Sequence, residues 1–284
     1  MSNRCMRVAI LTCGLLNVFL LRPQAARSQV DAWEFEVYPY ATEQRGMVEL
    51  EMLNGVVPNG HNTPGSGLSS GTFSSQGSWF NALELTYGVT DRIEAAAYID
   101  DTQVSGHGYW YSGSKFRLRG RLFDEGVLPV DLGWYAELEW HKIDQFDDAE
   151  LEIEFKPIIE KDIGRFTFNF NPIFEKPITG PDKNRGFEFG YANGMYYRWM
   201  RYLSPGVEFY GGIGLIDDND QLSDQQHYIF PVAWGELPRG IEYSIGPGFG
   251  LTRNSDHVLL KFNIELERFV GAIFGPSSET GWFF

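Results

Sequence analysis

Between Lys115 and His141 the chain reads KFRLRGRLFDEGVLPVDLGWYAELEWH, and this stretch limits the possible folds more than any other. Lys115, Arg117, Arg119 and Arg121 occupy every second position of its first arm. On the second arm Val130, Leu132, Trp134, Ala136, Leu138 and Trp140 alternate with Asp131, Gly133, Tyr135, Glu137, Glu139 and His141. Successive strand side chains point to opposite faces, so two arms around Phe-Asp-Glu-Gly form a hairpin with one apolar and one charged face. The arms exceed the roughly 5–6 residues usual in soluble strands. A long apolar face backed by charge suits a barrel with lipid outside and a polar interior.

Residues 1–28 are of another kind. Arg4 and Arg7 precede the apolar run Val8–Leu21, and Ala26 and Ser28 take the small-residue positions of a cleavage site. This is the layout of a secretory signal peptide, too short to cross a bilayer as a helix. Cleavage after Ser28 removes Cys5 and Cys13, so the mature chain is expected to hold no disulfide. It also removes Arg4, Arg7, Arg22 and Arg27 and no acid, which moves the formal charge from −15 to −19. Such acidity disfavours nucleic acid as a partner.

The mature chain divides into an N-terminal segment (29–45), a barrel (46–269) and a C-terminal tail (270–284). Trp33–Tyr40 (WEFEVYPY) alternates but is interrupted by Pro39, so it reads either as part of a bent first strand or as a separate segment. Counting from 46–54, the periodicity gives 12 strands: 78–88, 92–101, 109–123, 127–142, 147–161, 165–176, 185–202, 206–217, 227–235, 239–251 and 256–269 follow. The links at 89–91, 124–126, 162–164, 203–205 and 236–238 are short. Those at 55–77, 102–108, 143–146, 177–184, 218–226 and 252–255 are mostly longer. Short turns alternating with long loops are the habit of outer-membrane barrels. The expected fold is therefore all-β, a transmembrane antiparallel up-and-down barrel of about 12 strands. Loop 55–77, rich in Gly, Ser, Pro and Asn, reads either as a loop folded into the mouth and narrowing it or, as its lack of large apolar residues favours, as a solvated extracellular loop. Pro157, Pro172 and Pro247 fall inside strands, where a missing N–H costs a ladder bond.

The phrase LELTYGVTDRIEAAAYI (Leu83–Ile99), taken with the leader and the strand count, resembles outer-membrane proteins of the "MetA-pathway of phenol degradation" family. That resemblance implies a porin-like conduit, with aromatic compounds among its small solutes, and carries over no catalytic residue.

The residues themselves mark Lys115, Arg117, Arg119, Arg121, Asp131, Glu137, Glu139, His141, Glu152 and Glu154 as pore lining. Pairing the hairpin about 124–126 sets Arg119 near Asp131 and Arg117 near Gly133. A basic ladder beside acidic ones orients polar solutes and sets ion preference; the alternative is that the charges only stabilise one another across strands. The histidines His61, His107, His141, His227 and His257 form no spaced metal motif, so no metal or cofactor is expected. The expected function is passive passage of small solutes through the outer membrane, without catalysis. The expected partners are outer-membrane lipid, small solutes and the barrel assembly machinery. Two rival classes remain: a lipid-hydrolase-like barrel, for which Ser112, Ser114 and His141 are the nearest candidates, and a structural or adhesive barrel.

Overall fold

The structure is a computed structural model that describes residues 30–69, 72–141, 151–180, 183–238 and 240–266. The signal peptide, the link 143–146, the adjoining ends of the expected strands 127–142 and 147–161, the end of the expected strand 256–269 and the 270–284 tail lie outside the described residues. Among the described residues thirteen strands follow one another: β1 (Val48–Asn59), β2 (Trp79–Thr90), β3 (Ile93–Val104), β4 (Gly108–Arg121), β5 (Asp131–His141), β6 (Glu152–Ile163), β7 (Phe166–Pro177), β8 (Glu188–Tyr197), β9 (Ser204–Leu215), the two-residue β10 (Asp218–Asn219), β11 (Gln226–Leu237), β12 (Ile241–Gly250) and β13 (Val258–Leu266). Every long strand pairs antiparallel with its sequence neighbours, and β13 pairs with β1 to close the ring. The result is a closed barrel of twelve long strands, with β10 prolonging the β9 edge.

Alternation sets the two faces. Phe116, Leu118, Leu138, Trp140, Phe168, Phe170 and Ile264 are exposed on the outer wall. Inward-pointing Lys115, Arg117, Tyr135 and Glu137 are buried. In water so wide an apolar belt would demand a cover; in lipid it is already satisfied. The fold is that of a transmembrane β-barrel.

Several links depart from the expected lengths, among them the β8–β9 connection, which is 198–203 and not 203–205, and the two links that flank β4. The β4–β5 connection is no tight turn at 124–126 but the loop 122–130, so Val127 and Val130 precede the strand. Gly126, at φ +74°, donates its N–H to the Asp131 carboxylate (2.7 Å), which holds the loop wide. The register moves accordingly: Arg117 lies opposite Glu137 and Arg119 opposite Tyr135, instead of Gly133 and Asp131. Conversely β3 and β4 extend to leave only 105–107 between them, where His107 N–H bonds the Val104 carbonyl.

Loop 60–78 is solvated only in part: Asn62, Thr63, Pro64, Thr72 and Gly77 are exposed, but other residues fold into the mouth. Leu68 is fully buried, and the partly buried Phe73 packs on the same cluster. The buried Asp256 carboxylate accepts from His61 N (2.7 Å), Leu68 N (2.9 Å) and Ser75 Oγ (2.6 Å). The composition of this loop reflects tight turns inside the mouth, such as Gly67 at φ +66°, as much as contact with water.

Candidate functional site

The barrel interior is filled by the chain's own residues 30–45. Trp33–Tyr40 is no strand; it runs extended through the lumen from the end bearing loop 60–78 to the end bearing the β2–β3 turn. At the first end Val30 N–H bonds Gln226 Oε1 (3.0 Å), and Gln226 Nε2 reaches the Gly67 carbonyl, so loop and segment share one anchor. At the other end Glu43 N–H bonds Glu94 Oε2 (2.6 Å) and Gly46 N–H bonds the Gly88 carbonyl (2.7 Å). Between them, Tyr38 N–H bonds Asn171 Oδ1 (2.8 Å), and Tyr40 N–H bonds Glu160 Oε2 (2.9 Å). A segment without ladder partners satisfies its backbone through wall side chains, as burial requires.

Its side chains answer the two halves of the wall. Trp33 meets Phe80 edge-on at 5.2 Å, and Phe35 lies 5.3 Å from Tyr210 and 5.1 Å from Phe230. Such aromatic contacts add about 0.5–1.5 kcal/mol each beyond area burial. On the charged side Lys115 Nζ binds Glu34 (3.0 Å), Asp31 and Glu139, with Glu137 at 3.6 Å. Lys156 Nζ binds Glu34 (2.6 Å) and Glu154 (2.7 Å), and Tyr135 Oη donates to Glu34 Oε1 (3.1 Å). The Tyr38 ring has Arg117, Arg119 and Lys156 within 5.1, 5.2 and 5.2 Å of its centroid. Cations over a buried aromatic face are held by its quadrupole.

The ten residues marked from the sequence therefore divide. Lys115, Glu137, Glu139 and Glu154 gather around Glu34 and the two lysines. Arg117 turns to Glu84 (2.6 Å) and Glu94 (2.8 Å), and Arg119 to Glu94 (2.7 Å). His141 sits by Glu139 (3.1 Å) and Glu152 (3.8 Å) as a small group near the loop end. Arg121 reaches the Asp91 carbonyl and Asp131 caps Gly126, both by the β4–β5 loop and apart from the central cluster. Ser112, the hydrolase candidate, shares its hydroxyl with Thr102 (2.7 Å), and Ser114 with Tyr111 (2.7 Å). Sequence reasoning passed over Asp31, Glu34, Tyr38, Asn171, Gln226 and Asp256. The available signal was the alternation of Trp33–Tyr40, which presents apolar and polar sides but names no partner strand.

No family model matches the chain, and no curated protein matches it. The crystal structure of an outer membrane channel from Pseudomonas putida F1 is similar at a TM-score of 0.55 and 13% identity, covering 81% of this chain and 99% of that one. LpxR from Salmonella typhimurium aligns at a TM-score of 0.40 and 10% identity, over 77% of this chain and 99% of that one. At these identities the channel's likeness bears on the fold, which is a barrel of the membrane-spanning class.

Proposed function

We propose that this protein is an outer-membrane channel or transporter for small solutes, whose conduit is closed at rest by residues 30–45. The observation that carries the reading is the hold on that segment. It is kept by side-chain hydrogen bonds, ion pairs and ring contacts, and by no continuous strand ladder. A covering built this way can leave as a unit while the wall keeps its own ladder. The barrel shape shared with an outer membrane channel supports the location and the role. Loop 60–78 then faces the cell exterior and the β2–β3 turn faces the periplasm. Passage is passive in this reading, and the chain performs no catalysis. Solutes with an aromatic body and a polar end suit a lumen whose wall carries Tyr210, Tyr228 and Phe230 on one side and Lys115 and Lys156 on the other. The resemblance of the Leu83–Ile99 phrase points the same way.

Planar-bilayer recording tests it. The full chain should show discrete but mostly closed conductance. Glu34→Gln, which leaves Lys115 and Lys156 their other carboxylates, should raise the open fraction by about tenfold, equivalent to about 1.4 kcal/mol. No current from either protein over many insertions would end the channel reading. Equal open fractions would remove residues 30–45 from it.

A further inference from the structure

We infer that Glu36, Glu51 and Glu84 form a site for one hard divalent cation of calcium's size, which fastens the lumenal segment to the β1–β2 wall. One carboxylate oxygen from each of the three lies within 4.8 Å of the others. Two oxygens bound to one Ca²⁺ at 2.3–2.6 Å stand at most about 5 Å apart, so the spacing matches a shared ion. Glu51 and Glu84 are 7% and 1% exposed.

The register explains why the group exists and why it differs from its neighbours. Glu265, Glu51 and Glu84 lie directly opposite one another on β13, β1 and β2. Like charges placed so are destabilising. A second such row, Glu137, Glu154, Glu175 and Glu188 on β5 to β8, carries its own cations: Lys115 at 3.6 Å from Glu137, Lys156 at 2.7 Å from Glu154 and Arg185 at 3.4 Å from Glu188. The Glu51 row has no such relief at its centre. Arg117 binds Glu84 through one oxygen, but shares its guanidinium with Glu94, Thr86 and Tyr98. Among the described residues Glu36 and Glu51 enter no ion pair.

The independent mark of a ligand is the state of the remaining oxygens. Glu84 Oε1 takes Arg117 and the Thr86 hydroxyl (2.5 Å), while Glu84 Oε2 is buried without a hydrogen-bond partner; so is Glu36 Oε2. A buried carboxylate oxygen with no partner is costly. A hard cation supplies the positive charge and the bonds together, and all-oxygen carboxylate sets are what calcium selects. Because Glu36 comes from the segment and the other two from the wall, the ion would hold the segment in place. The site stands whether or not the barrel conducts.

The test uses the purified full barrel in detergent, stripped with a chelator and dialysed against radiocalcium at neutral pH. One saturable calcium per chain is expected. Affinity should fall by at least about tenfold in Glu36→Gln and in Glu51→Gln, and stay unchanged in Glu152→Gln at the separate His141 group. Heat-modifiable gel mobility confirms that each variant is folded. Hydrogen exchange on the wild-type protein provides a readout that needs no variant: calcium should slow exchange in residues 34–38 and around Glu51 and Glu84. Absence of saturable uptake, which is the result if shared protons neutralise these carboxylates, overturns the proposal. So does uptake that survives Glu36→Gln and Glu51→Gln, uptake lost in Glu152→Gln instead, or unchanged exchange in those segments.

Discussion

Asp256 shows how much one side chain organises at the mouth. Its carboxylate is fully buried and accepts from His61, Leu68 and Ser75, while its own N–H bonds Tyr228 Oη (3.0 Å). Hydrogen bonds to a charged group contribute about 1.5–3 kcal/mol each, and removing the acceptor strands its buried donors. Asp256→Ala should therefore free loop 60–78 while the barrel persists. Proteolysis within that loop is expected to speed up by about a hundredfold, equal to about 2.7 kcal/mol; an unchanged rate would show the loop is held elsewhere. At the opposite end Gly88 is needed for space. A Cβ there would overlap the Gln44 carbonyl oxygen, and Gly88 bonds Gly46 and Met47 through its backbone. Gly88→Ala should displace the end of the segment and raise amide exchange at Gly46 and Met47. If exchange there stays at the wild-type rate, the segment is seated by its ion pairs alone.

At the scale of strands, the prolines that look out of place in the sequence turn out to be paired. The β6–β7 register runs from Phe155↔Phe174 to Ile159↔Phe170, skipping the positions where Pro157 faces Pro172. The β11–β12 register runs from Ile229↔Phe249 to Ala233↔Ile245, skipping Pro231 opposite Pro247. On its other side each proline keeps a strand partner: Trp134, Tyr191, Val207 and Leu260. In an antiparallel ladder, directly opposed residues either exchange both N–H bonds or neither. Placing the missing donors face to face therefore confines the loss to one point of one seam. Replacing Pro157 and Pro172 together by valine should restore two hydrogen bonds, about 0.5–1.5 kcal/mol each, and slow exchange at Phe155 and Ile159. Destabilisation would mean the seams are shaped by packing instead. The same contrast explains what was legible. Strands such as 165–176 stood out because lipid and lumen impose opposite demands on alternate residues. The proline pairing was hidden because it depends on register, and the β6–β7 and β11–β12 registers are fixed by the turns that join those strands, which alternation alone does not place. Trp33–Tyr40 alternates as a strand does, since it too lies between an apolar side and a charged side. Only the fold shows that both sides are interior.

Considered whole, the molecule sets an acidic interior against a limited number of cations. Glu49, Glu51, Glu84, Glu94, Glu137, Glu139 and Glu154 face the lumen from the described strands, against Lys115, Arg117, Arg119, Lys156 and Lys261. Asp31, Glu34 and Glu36 add further negative charge from the segment, and Lys261 is already bound to Glu208 (2.5 Å). If residues 30–45 leave as proposed, Lys115 and Lys156 retain Glu137, Glu139 and Glu154 as partners, so no free basic ladder appears. Charged rings of one sign in a narrow lumen select counter-ions. The open conduit should therefore prefer cations, contrary to what the Lys115–Arg121 ladder suggests when read alone. In a potassium chloride gradient the Glu34→Gln protein should reverse on the cation side of zero. Adding Glu137→Gln should move that potential toward zero, because it removes a wall carboxylate that makes contact with Lys115 and Tyr135. A reversal on the anion side would mean that the basic ladder, and not the carboxylates around it, governs the field inside the barrel.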